Sequence, residues 1–266
     1  MLGAVIGDIV GSRFEWNNTK SKDFELFTPE CRYTDDSVMT LAVAKAVLNN
    51  RGRPEELGKE AVRTMQAFGR RWARGCYGGS FSRWLMSDQP RPYGSWGNGS
   101  AMRVSACAWA ADSLEEALDM AKRVTEVTHD HPEGIRGAQA VTAAIWLARN
   151  GAEKAEIRQH IEARYYRLDF TLDAIRPAYR FDVSCQGSVP QAIEAFLEAE
   201  SFEDAVRNAV SLGGDSDTIG AIAGSIAEAF YGIPQALRER ALAYLDHELK
   251  DVVREFEASY SALKLA

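Results

Sequence analysis

Residues 1–11 read MLGAVIGDIVG, an apolar stretch with a glycine at every fourth position. The same spacing returns at Gly220 and Gly224, inside a second apolar run. A glycine costs about 1 kcal/mol relative to alanine in a helix interior, so its use there needs a structural reason. Close approach of two helix backbones is one such reason, because glycine has no side chain to separate them. The pattern predicts that the two helices cross in the core, with Gly7 and Gly220 at the contact.

Most of the remaining chain has the periodicity of amphipathic helices, and no run alternates apolar and polar residues as a strand would. The helices that we expect cover residues 37–48, 54–72, 113–127, 134–150, 153–166, 189–199, 202–210 and 235–256, the last as one long helix or a pair. Residues 74–98, rich in glycine and aromatic side chains, are expected to be irregular and functional. The sequence therefore predicts an all-α fold, a compact orthogonal bundle of many helices in a single domain over residues 1–266.

The overall composition narrows the class of protein. Of the 266 residues, 46% are hydrophobic and the net charge is −7, which allows a sizeable core and argues against a general nucleic-acid binder. We expect no membrane span, and the N-terminus lacks the basic region of a signal peptide. The four cysteines lie far apart without a C-x-x-C pair, which favours reduced thiols in a cytoplasmic protein over two disulfides.

Two short acidic clusters each stand at the start of an apolar helix. The first is Thr34-Asp35-Asp36-Ser37 and the second is Gly213-Gly214-Asp215-Ser216-Asp217-Thr218. Either cluster alone is explained as a helix N-cap, which these residue types favour. A cap needs only one such residue, however, and adjacent carboxylates repel each other unless protons or cations neutralise them. Hard oxygen ligands suit Mg²⁺, Mn²⁺ or Ca²⁺, so the two clusters together predict a metal site.

The sequence context of several other polar residues gives a weaker indication of a functional site. Glu15 is either a third acidic site residue or a solvated loop residue, whereas Asp8, inside an apolar helix, is expected to be a hydrogen-bonded structural residue. The turn Gly97-Asn98-Gly99-Ser100 is a candidate phosphate cradle, and the aromatic residues before it suit stacking on a base. His129 and His131 lie beside acids, but without a third soft ligand they make a poor zinc site.

Together these motifs resemble the ADP-ribosylglycohydrolase family, in the family's order and over nearly the whole chain. The matching motifs are Gly7-Asp8 with Gly11-Ser12 and Glu15, Tyr33-Thr34-Asp35-Asp36, Gly97-Asn98-Gly99-Ser100-Ala101-Met102-Arg103, Thr128-His129 and Gly213-Gly214-Asp215-Ser216-Asp217-Thr218. The resemblance implies an all-α fold around a binuclear Mg²⁺ or Mn²⁺ centre. It implies metal ligands at Thr34, Asp35, Asp36, Asp215, Asp217 and Thr218, and catalytic carboxylates at Glu15 and Asp35. The implied ADP-ribose contacts, with Trp96 against the adenine, are Gly78, Gly79, Ser80, Gly94, Ser95, Trp96, Gly97, Asn98, Gly99, Ser100 and His129.

By the same resemblance, the expected reaction is metal-dependent hydrolysis of the glycosidic bond between ADP-ribose and a protein side chain or small molecule. Two alternatives stay open: a two-metal phosphohydrolase that cleaves the diphosphate, and a non-catalytic ADP-ribose-binding module. The segment Asp130-His131-Pro132-Glu133 is not shared by all family members, so arginine, serine, O-acetyl and other leaving groups all remain candidates. The expected partners are ADP-ribosylated proteins or ADP-ribose conjugates.

Overall fold

The computed structural model describes residues 1–260, which form fourteen α-helices and two short 3₁₀ helices, Pro54–Glu56 and Asn98–Ser100, without a strand. The α-helices are, in chain order, α1 (Leu2–Gly11), α2 (Asp35–Asn49), α3 (Leu57–Arg71), α4 (Gly79–Met86), α5 (Ser105–Ala110), α6 (Leu114–Thr125), α7 (Pro132–Arg149), α8 (Lys154–Arg164), α9 (Leu172–Ile175), α10 (Cys185–Leu197), α11 (Phe202–Ser211), α12 (Ser216–Tyr231), α13 (Gln235–Tyr244) and α14 (His247–Tyr260). The predicted all-α class is confirmed.

The centre of the core is the contact between α1 and α12, whose sides are covered by α10, α11 and α7. Every residue of α1 is buried. A Cβ added at Gly7 would lie 1.9 Å from the carbonyl oxygen of Gly220, and one at Gly3 would lie 2.2 Å from that of Gly224. Only hydrogen atoms therefore separate the two backbones at these positions, which confirms the crossing predicted from the glycine spacing.

The structure differs from the sequence-based expectation within residues 74–98, where it contains α4. The glycines and the short length hide a helical pattern, because Phe81, Trp84 and Leu85 lie at three- and four-residue steps and the last two are buried. The segment 235–256 is resolved as the pair α13 and α14, with the chain extended at Leu245 between them. Packing against the rest of the bundle thus orders a segment that composition alone describes as a loop.

Two further expectations concern the state of the cysteines and the absence of a membrane-spanning helix. All four cysteines are free thiols, buried at Cys31, Cys107 and Cys185 and exposed at Cys76. This agrees with the expected reduced state. None of the helices in residues 1–260 has both the length and the apolarity that crossing a membrane requires.

Candidate active site

The buried carboxylate of Asp8 holds the start of α2 in place. Its Oδ2 accepts hydrogen bonds from the backbone N–H of Thr34 at 2.9 Å, from the backbone N–H of Ser37 at 3.0 Å and from the Ser37 hydroxyl. Its Oδ1 accepts from the Thr34 hydroxyl at 2.7 Å, and Thr34 is also the N-cap of α2. The structural role predicted for Asp8 is confirmed, and its effect is to position Asp35 and Asp36 in the first turn of α2.

The second acidic cluster reaches the same place because the end of α1 crosses the first turn of α12. A Cβ added at Gly11 would lie 2.6 Å from the Cα of Asp217. The Thr218 hydroxyl donates to Oδ2 of Asp36 at 3.2 Å, which joins the first turns of α12 and α2 directly. Two clusters that are far apart in the chain are therefore one cluster in the fold.

The turn that leads into α12 depends on glycine. Gly213 has a φ of 69° and Gly214 a φ of 73°, in the left-handed region that residues with a Cβ rarely adopt. The Asn18 side chain accepts from the backbone N–H of Gly214 at 2.8 Å and donates to its carbonyl oxygen at 3.1 Å. This clamp ties the loop that carries Glu15 to the residue before Asp215, so the third acidic candidate joins the cluster.

The carboxylates form two groups that are compact enough to bind a cation each. The oxygen atoms of Asp8, Asp36 and Asp217 lie within 4.8 Å of one another, and so do those of Glu15, Asp215 and Asp217. Asp217 belongs to both groups. The arrangement is therefore compatible with metal binding, and Asp217 is the carboxylate that the two groups share.

The electrostatics of the cluster fit a bound cation. Oδ1 of Asp36 is buried without a hydrogen-bond partner in residues 1–260, a costly state that a metal ion would relieve. Burial, followed by the neighbouring carboxylates, raises the pKa of Asp36 and of Asp217 well above the ordinary range. Burial, followed by the charge of Asp8, raises the pKa of Asp35 to about 8. Such groups need protons or cations, and an all-oxygen donor set suits hard divalent ions.

Glu15 and Asp35 differ from the other carboxylates in position. Glu15 is partly buried, and burial and the charge of Asp215 raise its pKa, with Arg32 opposing the shift. A raised pKa favours the protonated form, which a general acid requires. Asp35 faces the same cavity but belongs to neither carboxylate group.

A cavity of about 450 Å³ lies over these carboxylates, within the size range of small-molecule sites. We call Glu15, Asp35, Asp36, Asp215 and Asp217 the acidic side of this cavity. The other residues predicted for the site that line the cavity are Gly78, Gly79, Ser80, Ser95, Gly97, Asn98, Gly99, His129 and Thr218. The structure thus brings together, in one cavity, residues from six separate stretches of the chain.

Four residues predicted for the site lie outside the cavity walls. Thr34 is buried beneath the acidic side, and Ser100 is buried below the glycine turn, its hydroxyl donating to the carbonyl oxygen of Gly134 at 2.8 Å. Gly94 and Trp96 are exposed on their loop, with the Trp96 side chain 48% exposed. Their direct contact with a metal or with ADP-ribose stays a prediction from the resemblance.

The sequence analysis does not predict a rim of exposed hydrophobic side chains at the mouth of the cavity. Trp16, Phe181 and Val183 line the cavity and are 78%, 43% and 49% exposed. The rings of Trp16 and Phe181 stack with their centroids 5.3 Å apart. The sequence gives one indication of this rim, which is the aromatic residue directly after Glu15. No pattern in the sequence predicts that Phe181 lies beside Trp16.

The two histidines of the polar loop have separate roles. Nδ1 of His129 lies 2.7 Å from the Thr128 hydroxyl, to which Arg103 also donates at 2.7 Å. Burial, and then the charge of Arg103, lowers the pKa of His129 well below its ordinary value, so its imidazole is neutral. His131 instead caps α7, accepting from the backbone N–H of Glu133 at 3.1 Å. No group of three metal-ligand side chains within residues 1–260 includes a histidine, which agrees with the weak zinc pattern.

Comparison with known proteins agrees with this geometry. The sequence model of the ADP-ribosylglycohydrolase family matches residues 1–264. ADP-ribosylhydrolase ARH3 of Homo sapiens is 27% identical, over 88% of this chain and 85% of its own length. ADP-ribosylarginine hydrolase Tri1 of Pseudomonas putida (strain GB-1) is 26% identical, over 88% of this chain and 70% of its own length.

A solved structure described as an ADP-ribosylglycohydrolase-related protein complex superposes with a TM-score of 0.70 at 23% identity. The superposition covers 98% of this chain and 95% of that chain, and at this level of identity it shows a shared fold. The fold, the joined acidic clusters and the full-length family match lead to one conclusion. This chain belongs to the ADP-ribosylglycohydrolase family of enzymes.

Proposed function

We propose that this protein hydrolyses the glycosidic bond between ADP-ribose and a protein side chain or small-molecule leaving group, with divalent cations as cofactors. One observation carries the proposal: two carboxylate groups that share Asp217 lie in a cavity of about 450 Å³ whose other walls are glycine-rich loops. The relatives named as an ADP-ribosylhydrolase and an ADP-ribosylarginine hydrolase support the substrate class. We propose ADP-ribosylated proteins or ADP-ribose conjugates as the partners.

Two Mg²⁺ or Mn²⁺ ions are the proposed cofactors. The family resemblance assigns them to Thr34, Asp35, Asp36, Asp215, Asp217 and Thr218, and the unpaired Oδ1 of Asp36 and the shared position of Asp217 support that assignment. Asp8 lies close enough to be a ligand, but it accepts four hydrogen bonds from Thr34 and Ser37, so we assign it a supporting role. When bound, such ions polarise oxygen atoms, orient a ribose diol and lower the pKa of water.

The acid and base are proposed to be Glu15 and Asp35. Cleavage builds positive charge on the ribose ring, and the leaving atom has to receive a proton. Burial and the charge of Asp215 raise the pKa of Glu15, which favours the protonated form that this role requires. Asp35 lies in the cavity wall, and its ionised form can take a proton from the attacking water. Its pKa of about 8 leaves it mostly protonated at neutral pH in the metal-free protein, so this role requires bound cations, which favour the ionised form.

The remainder of ADP-ribose is proposed to lie along the glycine-rich loops. α4 begins at Gly79 without a side-chain cap, so the N–H groups of its first turn suit a phosphate. Asn98 donates its side-chain amide to Oδ2 of Asp215 at 2.6 Å, which ties the second loop to the acidic side. Nε2 of His129 points toward that loop, since a Cβ added at Gly99 would lie 3.6 Å from it. The neutral imidazole is thereby placed to hydrogen-bond a hydroxyl or a phosphate oxygen.

The test is product analysis with a panel of substrates, namely proteins ADP-ribosylated on arginine or serine and O-acetyl-ADP-ribose, with and without Mg²⁺ or Mn²⁺. We expect free ADP-ribose, formed only with a divalent ion, and the preferred panel member identifies the leaving group. AMP as the product would instead show a phosphohydrolase. Tight binding of ADP-ribose without turnover of any substrate would show a binding module.

A further inference from the structure

Arg103 is a buried cation in the wall of the same cavity. Its side chain is 1% exposed, and its Nη2 donates to the carbonyl oxygen of Val124 at 3.1 Å and to the Thr128 hydroxyl at 2.7 Å. The guanidinium carbon lies 5.9 Å from the centre of the Phe81 ring, in the first turn of α4. Nε is buried and has no hydrogen-bond partner in residues 1–260. The donors of this guanidinium are therefore only partly used.

The charge of Arg103 has no counter-ion in the part of the chain that the structure describes. The ionisable groups that interact with it are Tyr93, Cys107 and Cys185, none of them a carboxylate, and burial raises the pKa of each, so all three are uncharged at neutral pH. Burial lowers the pKa of Arg103 to about 10, which still leaves it charged at neutral pH. A buried cation normally has an acidic partner, because desolvation of an unpaired charge is expensive. Arg158, for comparison, donates to the buried Glu194 at 2.6 Å.

The surroundings of Arg103 are electropositive or neutral, and no residue of the acidic side is among the groups that shift its pKa. The uncapped first turn of α4 is in contact with it through Phe81 and adds the positive end of a helix dipole. His129 is held by Thr128, which Arg103 also contacts, and it is neutral because burial and that cation lower its pKa. We call Arg103, His129 and the first turn of α4 the cationic side of the cavity. Its one fixed full charge is that of Arg103.

We infer that Arg103 is the fixed countercharge of an anion subsite, and that its missing partner is the diphosphate of the substrate. The inference rests on the proposed function, because it assigns one end of the cavity to the phosphates of ADP-ribose. It goes beyond the glycine-rich loops, because the backbone N–H groups and the Ser80, Ser95 and Asn98 side chains of these loops are uncharged donors. The chemical class that the subsite accepts is a nucleoside diphosphate, bound with its charge toward Arg103 and its distal ribose toward the acidic side.

The test compares ligands with and without the diphosphate on matched variants. Arg103→Met keeps the aliphatic stem and removes the charge. The control is Arg149→Met. Like Arg103, Arg149 packs on an aromatic ring, here that of Trp109, donates to backbone carbonyl groups and has an unpartnered Nε in residues 1–260, but it lies outside the cavity. Dissociation constants for ADP-ribose, ADP and adenosine are measured by calorimetry with Mg²⁺ present, whether or not the enzyme turns over any substrate.

We expect Arg103→Met to weaken ADP-ribose and ADP at least tenfold and adenosine less than twofold, and Arg149→Met to change none of the three. Unchanged binding of ADP and ADP-ribose overturns the inference. An equal loss for adenosine and ADP overturns it as well, because that pattern means that Arg103 only shapes the pocket through Thr128. If Arg103→Met does not fold, Arg103→Lys retains the charge and should retain the preference for ADP over adenosine; loss of that preference in a folded Lys variant overturns the inference too.

The anion subsite can also be tested if the proposed function is wrong. If no ADP-ribosyl substrate is hydrolysed and the nucleotides do not bind, the subsite is probed with inorganic phosphate alone, by its effect on melting temperature. A phosphate-induced rise in the wild type and in Arg149→Met, absent from Arg103→Met, supports the anion subsite independently of the reaction. The absence of any phosphate effect on the wild type overturns it.

Discussion

The acidic side and the cationic side of the cavity handle buried charge in opposite ways. The acidic side gathers five carboxylates from α2, the start of α12 and the loop after α1, and burial, followed by the neighbouring carboxylates, raises the pKa of Asp35, Asp36 and Asp217. The cationic side holds one guanidinium without a carboxylate partner and one neutral imidazole. Uptake of protons or cations can change the charge of the acidic side, whereas the charge of the cationic side is constant at any physiological pH.

The difference shows how one cavity can orient a long, bifunctional ligand. A crowded group of carboxylates is complementary to divalent cations and, through them, to a ribose diol. A single desolvated guanidinium is complementary to a diphosphate. Each side is electrostatically incomplete in the protein alone. A ligand with a diol at one end and phosphates in the middle can place its diol at the acidic side and its phosphates at the cationic side in only one orientation.

The largest expected effect is on the acidic side, from Asp217→Asn. Asp217 belongs to both carboxylate groups, so the loss of its charge weakens both metal positions at once. We expect kcat/KM for ADP-ribose release to fall about 10³-fold, the equivalent of about 4 kcal/mol. Asp119→Asn is the charge-matched control, because Asp119 is an exposed partner of Arg123. Turnover within threefold of wild type in the Asp217 variant would remove the metal ions from the mechanism.

A second prediction is that the two sides of the cavity affect the stability of the protein in opposite ways as the pH changes. In the metal-free protein the pKa of Asp35 is raised from 3.8 to about 8, so the folded state keeps a proton that the unfolded chain releases. That stability is complete below pH 3.8 and is lost as the pH rises through 8. His129 acts in the opposite direction: its pKa is lowered, so the unfolded chain takes up a proton first and stability falls below about pH 6.5.

Melting temperatures from about pH 5 to about pH 8, with and without Mg²⁺, measure both effects. We expect the metal-free protein to lose several degrees between about pH 6.5 and pH 8, and Mg²⁺ to raise the melting temperature most at pH 8. Asp35→Asn should flatten the alkaline limb, and His129→Gln should flatten the acidic limb. A Mg²⁺ effect that is the same at every pH would contradict the ionisation of the acidic side.

The smallest expected effect is from Trp96→Ala. The resemblance assigns Trp96 to the adenine, whereas the structure leaves this side chain 48% exposed and outside the cavity walls. We expect the dissociation constant of ADP-ribose to rise only two- to threefold, about 0.5 kcal/mol, as for a marginal aromatic contact. A rise of tenfold or more would mean that the loop moves on binding and that Trp96 stacks on the base as the resemblance implies.

Much of the fold and of the acidic side can be predicted from the sequence, because the patterns are local. Gly7 and Gly220 mark the crossing of α1 and α12, and four-residue glycine spacing has few other causes in a helix interior. Asp36 and Asp217 stand in the first turns of α2 and α12, directly after residues of types that favour an N-cap, and Thr34 does cap α2. A helix start is set by chain neighbours, so its carboxylates can be located without knowing the tertiary fold.

The cationic side cannot be predicted in the same way. Arg103 follows a glycine-rich turn, where an arginine is ordinarily exposed and solvated. Its burial comes from packing against Phe81 in α4, a helix that the composition of residues 74–98 conceals. The absence of a carboxylate partner is a property of all the surrounding elements together, and no local pattern encodes it.

The sequence by itself therefore determined the all-α class, the glycine-mediated crossing and the identity of the acidic residues, since periodicity and capping act between neighbours in the chain. Only the tertiary structure decided that Asp217 is shared by two carboxylate groups, that Trp16 stacks on Phe181 at the mouth of the cavity, and that Arg103 has no counter-ion among residues 1–260. These are distances and solvent exposures between residues far apart in sequence. They exist only after the helices have packed.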